Sequence, residues 1–233
     1  MKKRGQITVY VILGIVIVAA LVGVFLLRGY ITKSEFEREA EKFKVNNDFV
    51  PIYNSYTDCV ESITKDGIDI LASQGGYIKI PRYEYVTNPL VPFSNKLDFF
   101  GNNNIEIAYW FYETGNGIQT EKIPTLDEMQ QSLSEYINDN LFFCTSNFTD
   151  YNEYIINDFK NFNTKVQITD NNIFVKVLSN FNVDYKGVNQ KFDDLKISVD
   201  SSLGYLYSKA IELYNKEKQE DYFEEKTIDY LII

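Results

Sequence analysis

Val166-Gln167-Ile168-Thr169-Asp170-Asn171-Asn172-Ile173-Phe174-Val175-Lys176-Val177 decides the fold class. Val166 and Ile168 precede a polar cluster, and Ile173, Val175 and Val177 follow it. Apolar residues at every second position place them together on one face of an extended chain. Two such runs around a short Asp/Asn turn read as antiparallel strands. The alternation goes on through Phe181, Val183 and Tyr185, Gly187 turns the chain, and Leu195, Ile197 and Val199 resume it. The spacing predicts several strands joined by short turns in one antiparallel sheet.

Downstream the period changes. Asp200 or Ser201 is placed to cap a helix carrying Leu203, Leu206, Ala210, Leu213 and Tyr214. Residues 227–233 read as apolar and extended. Upstream, 151–159 reads as a short helix. Thr125-Leu126-Asp127-Glu128 is a capping box: the Thr125 oxygen accepts from the third amide of the helix while Glu128 reaches back. Leu126, Met129, Leu133 and Tyr136 are the buried stripe of that helix, and Cys144 follows its end. Asn147-Phe148-Thr149 is a glycosylation sequon, meaningful on an outside loop.

Further back, Gly115 and Gly117 mark a turn. Residues 105–112 read as one aromatic strand, with Ile105, Ile107, Tyr109 and Phe111 on one face and Glu106, Ala108, Trp110 and Tyr112 on the other. Residues 88–104, with Pro89 and Pro92, read as loop, and 77–86 as extended, confined to an edge or break by Pro81. Tyr83, Tyr85, Trp110 and Tyr112 would make an aromatic platform for a sugar. The plainer reading is that they pack under a neighbouring helix. Pro51 suits the first turn of a helix with Tyr53, Tyr56, Val60 and Ile63 at helical spacing and Ile70-Leu71 beyond Gly67. Gly75-Gly76 supplies its left-handed stop. A phosphate cradle would need a strand before the glycines and a helix after them, the reverse of this order.

The first 28 residues are of another kind. Lys2, Lys3 and Arg4 precede a run, Ile7 to Leu27, in which fifteen of twenty-one residues are Ile, Val, Leu or Phe and none is charged. Their insertion into a bilayer is favourable by about 5–9 kcal/mol, and the helix is long enough to cross roughly 30 Å of hydrocarbon. A cleaved secretory signal, the competing reading, has a shorter apolar region and a small-residue cleavage site after it. Lys2, Lys3 and Arg4 should stay inside and the bulk should go out. Phe36, Ala40 and Phe43 continue a helical stripe as a stalk to about residue 45. Beyond residue 28 the chain holds 19 basic and 33 acidic residues, which argues against nucleic acid; simple solubility explains the charge.

Lys3-Arg4-Gly5-Gln6-Ile7-Thr8-Val9 running into an apolar helix resembles the class III signal peptide of archaeal type IV pilin-like proteins. The resemblance implies cleavage by a prepilin peptidase between Gly5 and Gln6, with the apolar helix kept as anchor. Assembling pilins usually carry Glu at the fifth mature position, where this chain has Tyr10, so filaments are expected to need a partner subunit. A second set of residues, Cys59, Gln74-Gly75-Gly76-Tyr77-Ile78, Pro81, Ile107-Ala108-Tyr109-Trp110 and Cys144, resembles a family of uncharacterised membrane-anchored surface proteins of small-genome archaea. Against that family the chain reads as C-terminally shortened.

Chemistry is bounded by what the chain lacks. It has no histidine, so Ser-His-Asp and Cys-His catalysis and histidine metal sites are excluded. Two cysteines 85 positions apart make no zinc motif. Asp170-Asn171-Asn172 lacks the alternation of a calcium loop. A carboxylate pair of glycosidase type stays open. Asp193-Asp194 and Glu224-Glu225 read as solvated charge. No cofactor, metal or catalytic residue is expected. If the bulk lies outside, Cys59 and Cys144 face an oxidising compartment and are expected to form a disulfide.

The expectation is α+β: a long N-terminal transmembrane and stalk helix, then an ectodomain with an antiparallel sheet and two or three helices. Residues 1–5 are a basic leader, 6–28 the membrane helix, 29–45 the stalk and 46–233 the extracytoplasmic domain. The expected role is structural, adhesive or pilin-like at the cell membrane. Expected partners are membrane lipid, prepilin peptidase, pilus or secretion machinery, and other envelope proteins. The alternative is a tethered carbohydrate-binding or carboxylate-dependent glycoside-processing ectodomain.

Overall fold

A computed structural model describes residues 45–81, 94–98, 106–114, 117–148 and 151–231, the side chains of 145–148 excepted. The segments expected as leader, membrane helix and stalk, up to residue 44, lie outside the described residues. Among those described, no helix is long and apolar enough to cross a membrane. The described residues are α+β, with antiparallel sheets and four α-helices.

The period-two region forms the main sheet from β5 (Tyr154–Asn157), β6 (Asn163–Ile168), β7 (Asn172–Tyr185) and β8 (Val188–Asp200). β7 is one strand of 14 residues, not the two short ones the spacing predicts. β8 pairs along its length, while β6 and β5 lie end to end on its other edge, opposite Ile173–Leu178 and Asn182–Tyr185. A bulge between Leu178 and Phe181 shifts the β8 register. The inward residues of β8 are then Val199, Ile197, Leu195 and Phe192, so the last step is three residues and the alternation legible in sequence stops there. Phe181 and Phe192 stack in the core at 4.9 Å. The outer face is mainly polar, with Lys176 paired to Asp194 at 3.0 Å, though Phe174 is buried on it.

Residues 151–159 are not a helix. Tyr154–Asn157 pairs with β7, and Tyr154 stacks on Tyr185 at 4.4 Å. Sheet pairing outweighs the weak local spacing, and Asp158 at φ 61° then takes the chain out of the strand.

Helix α1 (Val50–Ser73) starts with Pro51 in its first turn and lies across the sheet. Tyr56 meets Phe181 edge-on at 5.3 Å, and Tyr53 stacks on Phe192 at 6.3 Å. Gly75 and Gly76, at φ 71° and 92°, end the helix as expected, and the Gly76 amide donates to Leu71. Residues 77–81 contain no strand.

Helix α2 (Leu126–Asn140) begins with the complete capping box. Its buried stripe is Met129, Leu133 and Ile137, with Leu126 and Tyr136 half-buried. A 3₁₀ segment, Leu141–Phe148, carries Cys144 back beneath α1, and the Cys59–Cys144 disulfide closes there with Cα atoms 5.8 Å apart. α2 also guards the free edge of β6. Gln130 Oε1 accepts the Ile168 amide at 2.9 Å, and Asn138 Oδ1 accepts the Thr164 amide at 3.1 Å. α1 and α2 meet at Gly67, where a Cβ would lie 2.5 Å from Leu133 Cδ1 and 2.9 Å from Tyr136 Cδ1.

Two small hairpins flank this unit. β1 (Lys96–Asp98) pairs with β2 (Glu106–Ala108), so the segment expected as loop contains a strand. β3 (Phe111–Glu113) pairs with β4 (Gln119–Glu121) around the expected glycine turn. The single strand expected over 105–112 is therefore broken at Tyr109–Trp110, because its two halves have different partners.

Helix α3 (Leu203–Glu220) follows β8, with Gly204 against the β6–β7 turn, where a Cβ would meet the Thr169 carbonyl at 2.4 Å. Ser202, not Asp200 or Ser201, is its N-cap; Ser201 Oγ accepts the Leu203 amide at 3.2 Å. Helix α4 (Tyr222–Leu231) replaces the extended end expected there.

Two outcomes follow. Gly67→Ala should lose about 1–3 kcal/mol to overpacking, offset by about 1 kcal/mol of helix propensity, and chemical denaturation should show a net loss. Cys59→Ser with Cys144→Ser should cost about 4–5 kcal/mol in the chain-entropy model, most of a modest domain's stability. Denaturant midpoints of oxidised and mutant protein check it.

Candidate functional site

Of the four aromatic residues expected as a platform, Tyr83 and Tyr85 lie outside the described residues. Trp110 and Tyr112 do not share a strand face. Tyr112 is buried in β3. Trp110 sits at the break between β2 and β3, half-buried, and its indole N–H donates to the Gly75 carbonyl at 2.8 Å. Its ring meets Tyr214 of α3 edge-on at 5.8 Å. The glycine stop of α1 thus positions the indole, since a left-handed Gly75 turns its carbonyl toward the β2–β3 break. Both side chains are engaged in packing against protein.

Other expected site residues fall as follows. Gly5 and Gln6 lie outside the described residues. Asn147 falls in the 3₁₀ segment, and its side chain is not described. Asp193 and Asp194 each hold a lysine, Lys191 at 2.5 Å and Lys176 at 3.0 Å. Glu224 and Glu225 open α4. Among the described residues no group of three or more acids or cysteines is placed to hold a metal ion.

Two clefts share Tyr136 as a wall, and sequence reasoning pointed to neither. One, of about 280 Å³, runs between the stretch after Gly76 and the outer side of α2; Tyr77, Pro81, Pro124, Ser132 and Glu135 line it. Tyr77 donates to the Lys122 carbonyl at 3.1 Å, which draws the β4–α2 connection against it. The other, about 410 Å³, lies over the disulfide between Asp58, Ser62, Asp66, Asn140 and Phe143. Burial raises the Tyr136 hydroxyl above its ordinary range, and the nearby Asp66 charge adds to this, so it stays protonated. The signal in sequence is indirect: Gly67 removes a side chain from α1, and the Tyr136 ring lies in its place.

The carboxyl groups with described shifts all move downward. Glu128 is held low by the Thr125 backbone N–H and hydroxyl, Glu121 by hydrogen bonds from Lys218 and Tyr214, and Glu212 falls to about 2 between Lys209 and Lys216. These are acids kept ionised by hydrogen-bond donors. A glycosidase pair needs one carboxyl moved upward, to act as the acid. Glu135, on the rim of the first cleft, accepts from Gln131 at 3.0 Å. The first cleft has aromatic and proline walls with a charged rim, and the second sets the Tyr136 and Phe143 rings beside Asp58 and Asp66.

Trp110 is the sole tryptophan, which makes its fluorescence a report on one contact. Tyr214→Ala should expose the indole where α3 covers it. Emission should shift to longer wavelength and acrylamide quenching should rise, with far-UV circular dichroism nearly unchanged.

Compared with known proteins, the chain matches no family model, no curated protein and no solved structure.

Proposed function

We propose that this chain is an N-terminally anchored surface protein with a structural or adhesive role and a pilin-like origin. Residues 6–28 hold it in the membrane with the basic leader inside, 29–45 form a stalk, and the α+β unit works outside without catalysis. The observation that carries this reading is the Cys59–Cys144 disulfide. Disulfides persist in oxidising compartments and are rare where glutathione and thioredoxin keep thiols reduced. The charge-free apolar run and the basic residues before it supply the orientation. Support for pilin-type processing comes from Lys3-Arg4-Gly5-Gln6, directly before that run. Prepilin peptidase and a secretion platform are then the partners that process and place the chain. With Tyr10 in place of a carboxylate, a homopolymeric filament is not the expected product.

The mature chain should begin at Gln6, which mass spectrometry of its N-terminal peptide reads directly. Antibody against the α+β unit should label intact cells. A mature peptide retaining Lys2 to Gly5 counts against the pilin-type reading while leaving the anchor standing. Labelling that needs permeabilised cells counts against the whole proposal.

A further inference from the structure

The cleft over the disulfide, about 410 Å³, has a one-sided chemistry. Asp58, Ser62 and Asp66 of α1 line it together with Tyr136 and Asn140 of α2 and Phe143 of the 3₁₀ segment. The three α1 residues stand at spacings of four, so they share one side of that helix, and all three are exposed. Asn140 donates its amide nitrogen to the Tyr136 carbonyl at 2.8 Å, which leaves its amide oxygen as a further acceptor. The Tyr136 hydroxyl, kept protonated, adds no charge.

No lysine or arginine lines this cleft. α1, α2 and the 3₁₀ segment together hold eight acidic residues and one cation, Lys65. Lys65 is held by Glu61 at 2.6 Å, and Lys79, which reaches α2 from outside, by Asp139 at 3.5 Å. Among the described residues neither Asp58 nor Asp66 pairs with a lysine or arginine. The other cleft differs, since Lys79 and Lys122 stand beside its acids.

Carboxylates, neutral acceptors and aromatic rings together suit a ligand that donates hydrogen bonds, carries positive charge and has an apolar stem. A single metal ion does not satisfy the lining. Eight residues of helix set the Cα atoms of Asp58 and Asp66 about 12 Å apart along the axis. A hard cation needs its oxygens within roughly 2.0–2.6 Å, so an ion on one carboxylate is out of reach of the other. A cation charged at both ends spans the two. The volume is within the range of small-molecule sites.

We propose that this cleft binds a linear aliphatic polyamine, with one ammonium group on Asp58, another on Asp66, and the methylenes between them against the Tyr136 and Phe143 side chains. Each ammonium donates to a carboxylate, and the Asn140 oxygen lies within the same lining to accept a further N–H. The Phe143 ring, exposed at the rim, adds a π face to the cation. The site is a property of the α+β unit alone. Its test and that of the surface reading therefore fail separately.

The test is calorimetric titration of the full chain, in non-ionic detergent, with spermidine, diaminopropane and butylamine. Spermidine should bind with a dissociation constant below about 1 mM. Diaminopropane, too short to reach both acids, and butylamine, with one charge, should bind about threefold to fivefold more weakly. Asp58→Asn and Asp66→Asn should each weaken spermidine by about the same factor, and Phe143→Ala by about threefold. Glu224→Gln removes the same charge from α4 and should change nothing. The proposal is overturned if spermidine does not bind at millimolar concentration, or if the three amines bind equally. A loss from Glu224→Gln as large as that from Asp58→Asn overturns it in favour of diffuse attraction to an acidic protein. Oligolysine that binds about tenfold more tightly than spermidine, through the same two acids, overturns it in favour of a basic segment of a partner protein. The comparison of amines uses the unaltered chain, so it decides the matter even where a variant fails to fold.

Discussion

α1 and α2 touch where Gly67 has no side chain, and the rest of the fold depends on how near that lets them come. Glycine inside an α-helix costs about 1 kcal/mol relative to alanine. Here the missing Cβ makes room for Leu133 and Tyr136. The approach sets α2 beside β6, where its polar side chains reach the strand. Gln130 and Asn138 are eight residues apart, about 12 Å along a helix, and their partners Ile168 and Thr164 are four residues apart, about 13 Å along a strand. The two spacings agree, so two amides that would be unpaired on a sheet edge are satisfied from α2. The same placement brings Cys144 beneath Cys59.

These relations explain which features were legible in the sequence. The capping box, the Gly75-Gly76 stop and the β6–β7 turn are local: each is determined by a few adjacent residues, and each stands where its residues put it. The disulfide was legible by counting, because two cysteines permit one intramolecular pair. Features set by pairing partners were not. Tyr154–Asn157 has no strong period and becomes a strand because β7 offers it a free edge. The aromatic run over 105–112 has a strand's composition throughout, yet its halves join different hairpins. β8 loses its alternation at a bulge whose position depends on two aromatic rings reaching one core.

The candidate sites divide the same way. Chemistry that needs named residue types could be excluded from the sequence, since a chain without histidine cannot build a histidine triad. The clefts beside Tyr136 could not be anticipated, because their walls come from segments about 40 or more positions apart in the chain: Pro81 and Pro124 in one, Asp66 on α1 and Tyr136 on α2 in the other. Trp110 shows the same limit. Its type and exposed-strand spacing fit a ligand platform, but the Gly75 carbonyl and the Tyr214 ring, 35 positions before it and 104 after it, engage it instead.

The covalent link also orders stability along the chain. Its loop, residues 59–144, takes in most of α1, all of α2 and both small hairpins, while α1 and α2 pack on the main sheet. α3 and α4 lie beyond both the loop and the sheet. The Tyr207–Pro124 hydrogen bond that helps to hold α3 is worth about 1 kcal/mol, as is typical of such bonds. α4 adds no buried side chain. Opening of α3 and α4 therefore needs less free energy than the about 5–15 kcal/mol of global unfolding, and they form the low-stability end of the unit. Elements at that end exchange contacts most readily, since they give up little of their own when they dock. An amphipathic helix with no buried side chain is thus the part of this molecule best placed to gain stability from a neighbour.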